Sequence, residues 1–434
     1  MKNNKKLIFW ELNEINFDYL NFYISEGKLP NWKKFIDKYG LNTTNLNESY
    51  DNLEPWIQWP SIRTGQTFKE HKVFRLGDII ESNARQHWEI LEDKGYSVAA
   101  ISPINAKNNT KKSSFWIPDP WVDTIVSGNQ FIKRFSDAIK QTVNDNSGSK
   151  ITLSSFFTIL EGLITKSKLR SWPTYFSCII GVIKKQHWSK AIMFDRLLAD
   201  VFFNLWRKNE PDFSVLFMNS GAHIQHHYLF NSSAYMGSSK NPEWYVKKNQ
   251  DPLLAILEMY DDVLLQIENL SNVRLIIAVG LRQVPFEKPA FYWRLKSHDE
   301  FLEKIGIKFK KVYPRMTRDF LIKFNNNEDL INAQILFSKI KSSNGDLIFG
   351  EVDNRGEDLF VTLTFSDEVT DNLKIFIDQK ELLNFKNDVN FVAIKNGHHD
   401  SLGYYLDSSR NAQEFEANIP IENIFDIVMN HFES

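Results

Sequence analysis

Four short apolar runs, each ending in polar residues, constrain this 434-residue chain most strongly. They are Lys6–Trp10 (KLIFW), Gly95–Ile101 (GYSVAAI), Phe213–Met218 (FSVLFM) and Arg274–Val279 (RLIIAV). Amphipathic stretches separate them, among them FDYLNFYISEGKLPNWKKFIDKYG after the first and DPLLAILEMYDDVLLQIENL before the fourth. Buried strands alternating with amphipathic helices predict an α/β fold: a mostly parallel central sheet flanked by helices. Ligand sites in such folds gather at the carboxyl ends of the strands. Here those ends carry Glu11, Asn13 and Glu14, then Ser102 and Asn105, then Asn219 to His227, then Gly280 to Gln283.

The length suits one large α/β domain carrying smaller additions. Residues 150–210 read as a helical insertion, with amphipathic LSSFFTILEGLI and KAIMFDRLLADVFFNLWRK. No acidic residue occurs between Glu161 and Asp195, while Lys166, Lys168, Arg170, Lys184, Lys185 and Lys190 are interleaved with Trp172, Tyr175, Phe176 and Trp188. Such a basic, aromatic segment suits peripheral membrane contact through 162–194, the alternative being a solvated basic face. Residues 313–395 read as an α+β cap subregion, its small antiparallel β part resting on stretches such as LFVTLTF and LKIFIDQ.

A formal charge of −2 excludes a dedicated nucleic-acid binder. The single cysteine, Cys178, excludes an internal disulfide and a thiolate metal cluster. The first apolar run stops at Glu11, too soon for a signal peptide, and no run approaches the roughly 20 residues of a membrane span. A cytoplasmic chain, with or without membrane association, is expected.

The chemistry concentrates in histidine. Within MNSGAHIQHHYLF, His223, His226 and His227 fall in five residues, and His398-His399 open HHDSLGYYL far downstream. Imidazole is the commonest transition-metal ligand and a ready proton carrier, so His226 and His399, with His223 or Asp400, could hold one zinc ion or act in proton transfer. The competing reading makes them hydrogen-bonded core or cap residues. Glu11, near a strand end, suits a general base, whereas Glu14 reads equally as a helix N-terminal charge. Arg63, His71 and Arg75 could bind an anion, and Arg282 with Gln283 could stand in for a bound cation.

Taken in order, several segments resemble the alkaline phosphatase superfamily, above all its nucleotide pyrophosphatase/phosphodiesterase branch. GKLPNWKKFIDKYG is similar to that branch's helix after its first strand; WPSIRTGQTFKEHKVFRLGD to its T-W-P-S-x-x-T-G segment; AHIQHHY to its metal-binding D-x-x-G-H; LIIAVGLRQ stands where S-D-H-G is expected; and HHDSLGYYL resembles the last H-x-x-x-G-x-F motif. The resemblance implies a two-metal site with a Thr or Ser nucleophile. Carried over residue by residue, the first Asp becomes Asn13 and the nucleophile becomes Gln58. Asp and His of D-x-x-G-H become Ala222 and His226, Asp-His of S-D-H-G becomes Gly280-Leu281, and the last His is His399. Ser61 and Thr64 remain as hydroxyls near the nucleophile position.

The expectation is therefore a divergent enzyme for a phosphate-bearing small molecule, a nucleotide sugar or a glycan precursor, as in polysaccharide biosynthesis. It would act by hydrolysis or group transfer at a metal-poor site. His223, His226, His399 and Glu11 would be catalytic; Asn13, Gln58, Ser61, Arg63, Thr64, His227, Arg282, Gln283 and His398 would bind substrate; His226 and His399 would hold at most one zinc. A non-catalytic binding protein and an ordinary two-metal phosphodiesterase are the alternatives.

Overall fold

The computed structural model describes residues 6–46, 52–144, 152–315, 318–414 and 417–433. The chain divides into two compact units, one of residues 1–143, 151–286 and 397–434, the other centred on 287–396.

The first unit is built on an eight-stranded sheet. Its strands are β1 (Lys6–Leu12), β2 (Asn42–Asn45), β3 (Val98–Ile101), β4 (Phe115–Ile117), β5 (Phe213–Met218) and β6 (Val273–Val279). The chain then leaves the unit within β7 (Arg282–Leu295) and returns within β8 (Val389–Asp400), before β9 (Leu402–Asp407) and β10 (Ile419–Pro420) complete the sheet. The spatial order is β10-β2-β9-β6-β1-β5-β3-β4. β6, β1, β5, β3 and β4 are all parallel, and β9 alone runs antiparallel, between β2 and β6. The expected α/β class, with a mostly parallel sheet and small antiparallel sheets besides, is what the chain adopts.

Side chains alternate across β1. Leu7 and Phe9 face a core with Trp59, Trp88, Phe213 and Phe217, whereas Trp10 stacks on Trp32 and meets Tyr260. The stretch after β1 forms two helices rather than one, α1 (Phe17–Ser25) and α2 (Pro30–Tyr39). Gly27 takes a left-handed backbone (φ 71°), and Pro30 cannot continue a helix but opens one readily. Further helices are α3 (Pro55–Thr64), α4 (Leu153–Lys166), α5 (Trp172–Ile183), α6 (Trp188–Asn209), α7 (Ser220–Tyr228), α8 (Pro252–Glu268) and α9 (Asn423–Glu433). The insertion expected over 150–210 is thus helical in α4, α5 and α6.

The second unit has its own core, formed by residues such as Leu295, Phe301, Phe320, Phe337, Phe349 and Val361. It begins at residue 287, ahead of the expected 313–395 cap, because the helix His298–Lys304 that precedes the cap supplies Phe301 and Leu302 to that core. Its sheets are antiparallel, as the alternation suggests.

Candidate functional site

Strand register explains why distant residues meet. β1 pairs in parallel with β5 on one side and β6 on the other, with Leu12 opposite Met218 and Glu11 opposite Ala278. Asn13-Glu14, Asn219 onward and Gly280 onward therefore emerge at one sheet edge. β9 is antiparallel to β6, Tyr404 opposite Val279, so the residues just before β9 reach the same edge from the opposite direction. That brings in His399.

α7 starts immediately after β5 and carries the histidines. Its beginning is pinned by buried Asp195, which accepts from the Ser220 backbone N–H (2.9 Å) and the Tyr260 hydroxyl (2.7 Å). Burial pushes the Asp195 carboxyl up to about 6. Gly221 lets the helix start close to β1: a Cβ there would lie 2.2 Å from Ile15 Cδ1 and 3.1 Å from the Tyr260 ring. With that start fixed, His226 projects toward the sheet edge.

The centre of the cluster is Glu14, a buried carboxylate on a left-handed backbone (φ 58°). Non-glycine residues adopt that conformation at a cost, and such strain concentrates where a side chain must be aimed. Glu14 Oε2 lies 2.9 Å from His226 Nε2 and 3.2 Å from His399 Nε2. One ligand atom from each of the three lies within 4.8 Å of the others. The buried His399 Nε2 nevertheless makes no hydrogen bond among the described residues. On its other side, His399 Nδ1 lies 3.5 Å from Glu54 Oε2. Asn13 Nδ2 donates to Glu14 Oε1 (2.9 Å) and to Asn219 (2.8 Å), and Trp59 Nε1 donates to Asn13 Oδ1 (2.9 Å). Gln283 Nε2 donates to Glu14 Oε2 (2.5 Å), and Gln225 Nε2 to the Glu14 carbonyl (2.9 Å). Gly397 packs so closely that a Cβ would sit 2.3 Å from Gln283 Oε1 and 2.9 Å from the Gln225 carbonyl oxygen.

Charge follows this geometry. Burial works against ionisation of Glu14, but the His399 and His226 rings outweigh it and hold the carboxyl well below its usual range. Burial likewise opposes a charged His399, yet the Glu14 and Glu54 carboxylates raise it to about 9. Without a metal, the cluster at neutral pH therefore holds a Glu14 carboxylate against a His399 imidazolium.

The other expected residues fall into two groups. His223, His227 and His398 lie beside the cluster: His223 is exposed and its ring meets those of His227 and Tyr228, His227 is half-buried beside His226, and His398 meets Phe286. Arg282 is held by Asp18 (2.6 Å), Asp400 (2.8 Å) and Tyr404 (3.1 Å), and its charge is reinforced by Asp400 and Tyr404.

Glu11 and Arg63 form the second group, and both expectations need correction. Glu11 shares the face of Leu7 and Phe9, so it points into the core rather than out of the strand end. Arg63 holds it there through Nε (2.8 Å) and Nη2 (2.5 Å), donates Nη1 to the Ile104 carbonyl (2.5 Å), and lies over Trp59 and Trp88. Both side chains are fully buried. Burial raises the Glu11 carboxyl, with Arg63 opposing. Each is spent on the other and shielded from solvent, which suits a structural ion pair rather than a base and an anion-binding group.

Ser61 and Thr64 are helical residues of α3. Thr64 Oγ1 donates to the Pro60 carbonyl (2.7 Å). Ser61 Oγ lies 2.9 Å from His71 Nε2. His71 Nδ1 accepts from the Val73 N–H (3.0 Å), and burial lowers this ring to about 4. The proton of the neutral ring therefore sits on Nε2, which donates to Ser61 and cannot act as its base. Gln58 bonds to the Asn52 carbonyl (2.7 Å) and packs against Gly280, where a Cβ would lie 3.4 Å from its own.

The resemblance implies two metals, and the residues fit one. Glu14, His226 and His399 offer one carboxylate oxygen and two imidazole nitrogens, a donor set suited to zinc. Their closest separations, 2.9 and 3.2 Å, approach the about 3.4 Å between two ligands that each sit about 2.1 Å from one tetrahedral ion. At the remote nitrogen of His399 stand the Leu53 backbone carbonyl and the Glu54 carboxylate, the kinds of group that commonly orient a ligating imidazole. At the other position Asn13, Gln58, Gly280 and Leu281 provide neither carboxylate nor imidazole, so those residues do not fit a second metal. Residue type and position leave Glu14 between a functional carboxylate and a helix N-terminal charge, and Glu54 lies in no motif; only the three-dimensional path of the chain pairs them with histidines.

No family model and no curated protein matches the sequence. Solved structures do match along nearly the whole chain. Phosphonoacetate hydrolase from Sinorhizobium meliloti 1021, in complex with phosphonoacetate, shows 11% identity and a TM-score of 0.47, covering 99% of this chain and 96% of that one. Inactive murine ectonucleotide pyrophosphatase/phosphodiesterase 5, in complex with AMP, shows 10% and 0.40, covering 99% and 95%. The alkaline phosphatase of the Antarctic bacterium TAB5 shows 10% and 0.40, covering 100% and 99%. The likeness is one of fold.

Proposed function

We propose that this chain is an enzyme acting on a phosphate-bearing small molecule, by hydrolysis or group transfer, at a site that holds one zinc-like ion. The carrying observation is the convergence of Glu14, His226 and His399, three residues from separate parts of the chain with ligand atoms within 4.8 Å. Preference for phosphate is taken from the sequence resemblance, and a nucleotide sugar or glycan precursor is the narrower form of it. When bound, the ion would supply Lewis-acid polarisation of a phosphoryl oxygen.

The chain's own residues do the rest. Asn13 and Gln283 fix the Glu14 carboxylate, and the Leu53 carbonyl with the Glu54 charge would turn Nε2 of His399 toward it. His223 and His227, on the same helix as His226, would carry a proton to or from a leaving group. Arg282, partly exposed, adds positive charge at the sheet edge. With Gln58 at the nucleophile position and the Ser61 and Thr64 hydroxyls tied into α3, attack falls to water or an acceptor hydroxyl, with no covalent intermediate on these residues.

A panel of phosphomonoesters, phosphodiesters and nucleotide sugars, assayed with zinc present, tests the reading. His226→Ala and His399→Ala should each remove most turnover, and the double variant should be little worse than either single one, because the two act as one unit. Fully active single variants that remain folded would contradict it. A trapped phosphoryl adduct on Ser61 or Thr64 would equally contradict the proposed route.

A further inference from the structure

Two helices of the insertion, α4 and α5, turn large apolar side chains outward. On α4 the residues turned inward are small or polar, Ser155, Thr158 and Gly162, while on α5 they are Tyr175, Cys178 and Gly181. The large apolar side chains point outward: Leu153 is 76% exposed, Phe157 60%, Ile164 62%, Leu169 89%, Phe176 57% and Ile183 75%. A helix in water buries its apolar stripe, and contiguous exposed apolar surface marks a contact with something else. Close packing explains the inward choice. A Cβ at Gly181 would fall 2.1 Å from Ser189 Oγ on α6, so bulk has to go to the outer face.

The charges around this face indicate what covers it. Residues 146–194 contain one acidic residue, Glu161, against seven basic ones: Lys150, Lys166, Lys168, Arg170, Lys184, Lys185 and Lys190. Glu161 is itself paired with Arg134. Lys168, Lys184, Lys185 and Lys190 are exposed. No helix of the described residues is long and apolar enough to cross a membrane, which leaves a surface position. An apolar face rimmed by lysines matches the interface of an anionic bilayer, with apolar side chains at the acyl boundary and ammonium groups among the phosphates.

We propose that helices α4 and α5 dock this protein on an anionic lipid bilayer through Leu153, Phe157, Ile164, Leu169, Phe176 and Ile183, with Lys184 and Lys185 contacting lipid phosphates. The contact extends the basic segment 162–194 back to residue 153. It stands apart from the Glu14 cluster, so either can hold without the other.

Vesicle flotation with the full chain tests it, comparing phosphatidylcholine with an equal mixture of phosphatidylcholine and phosphatidylglycerol. The protein should float with the anionic vesicles at least about tenfold more than with the neutral ones, and less in high salt. Phe157→Glu/Ile183→Glu and, separately, Lys184→Glu/Lys185→Glu should each lower anionic-vesicle binding at least about tenfold. All four side chains are exposed, and unchanged melting curves would show that both variants fold. Absence of wild-type binding, or binding unaffected by either pair of substitutions, overturns the proposal. A concentration-dependent dimer that Phe157→Glu/Ile183→Glu dissolves, in a protein that does not float, would assign the face to a second copy and overturn it too.

Discussion

Glu11→Gln separates a structural carboxylate from a catalytic one. The Arg63 guanidinium is fully buried, with no solvent to replace a lost counter-ion. Three of its nitrogens donate, two to Glu11 and one to the Ile104 carbonyl. A glutamine keeps one acceptor oxygen and turns an amide N–H₂ toward the guanidinium, so one Arg63 donor loses its acceptor and the charge loses its partner. Removing one member of a buried pair costs roughly 3–5 kcal/mol. The nearby Trp59 and Trp88 rings, 5.5 and 5.6 Å from the guanidinium carbon, recover only part of this, since a cation–π contact contributes about 1–2 kcal/mol and is already present in the wild type. Urea unfolding of the first unit should therefore shift by roughly 3 kcal/mol or more, while zinc content and turnover per folded molecule stay unchanged. Glu11→Leu/Arg63→Met, which removes both charges, should regain most of the stability. A Glu11→Gln protein that is as stable as wild type but has lost turnover would refute the reasoning and restore Glu11 as a base.

Other outcomes follow from the same geometry. In the metal-free protein, His399 is raised to about 9 from 6.5, so its stabilising contribution is full below pH 6.5 and fades as pH rises through 9. Glu14 is lowered from 4.5, so its contribution is full above that value and is lost as pH falls through its depressed one; melting temperature against pH should accordingly plateau between about 4.5 and 6.5 in the wild type, and His399→Ala should flatten the alkaline limb. Zinc uptake at pH 7 should release a proton, measurable in weakly buffered solution, because the imidazolium has to deprotonate to become a ligand. Gly397→Ala should destabilise by about 1–3 kcal/mol and weaken zinc binding by displacing Gln283 from Glu14; unchanged affinity would argue against Gln283 as an orienting group. Ser61→Ala should cost about 1 kcal/mol of stability with turnover within about threefold of wild type, since His71 donates to Ser61 and does not activate it.

Much of the fold was legible because apolar runs mark strands whatever their surroundings. Phe213–Met218 is a strand with the bounds its apolar run suggests, and Lys6–Trp10 differs only in continuing to Leu12. That two-residue continuation matters. It places Glu11 inside the strand, on the face of Leu7 and Phe9, where alternation alone implies a buried partner, and Arg63 on α3 is that partner. The break at Gly27 and Pro30 was also written in residue types. Glu14 was not: nothing local announces a left-handed glutamate, and its histidines lie 212 and 385 positions away. The pairing arises from the parallel register of β1, β5 and β6 and from the reversed direction of β9. Histidine clustering pointed to His226 and His399, whereas Glu54 enters from the start of α3, with no motif of its own. The insertion shows the opposite limit. Its apolar periodicity was visible, but a period does not say which face turns outward, and packing against α6 gives the inner side to small residues.

The central claim is that Glu14, His226 and His399 form one metal site, whereas Asn13, Gln58, Gly280 and Leu281 do not form a second. Zinc bound at equilibrium, measured by elemental analysis after dialysis against buffered zinc, tests it most directly. Wild type should hold about one ion per chain, and Glu54→Gln should weaken binding roughly 10–100-fold through loss of the orienting carboxylate. Glu14→Gln, His226→Ala and His399→Ala should each abolish tight binding while circular dichroism shows an intact fold. Two tightly held ions per chain, or a single ion retained by all three variants, would contradict the account.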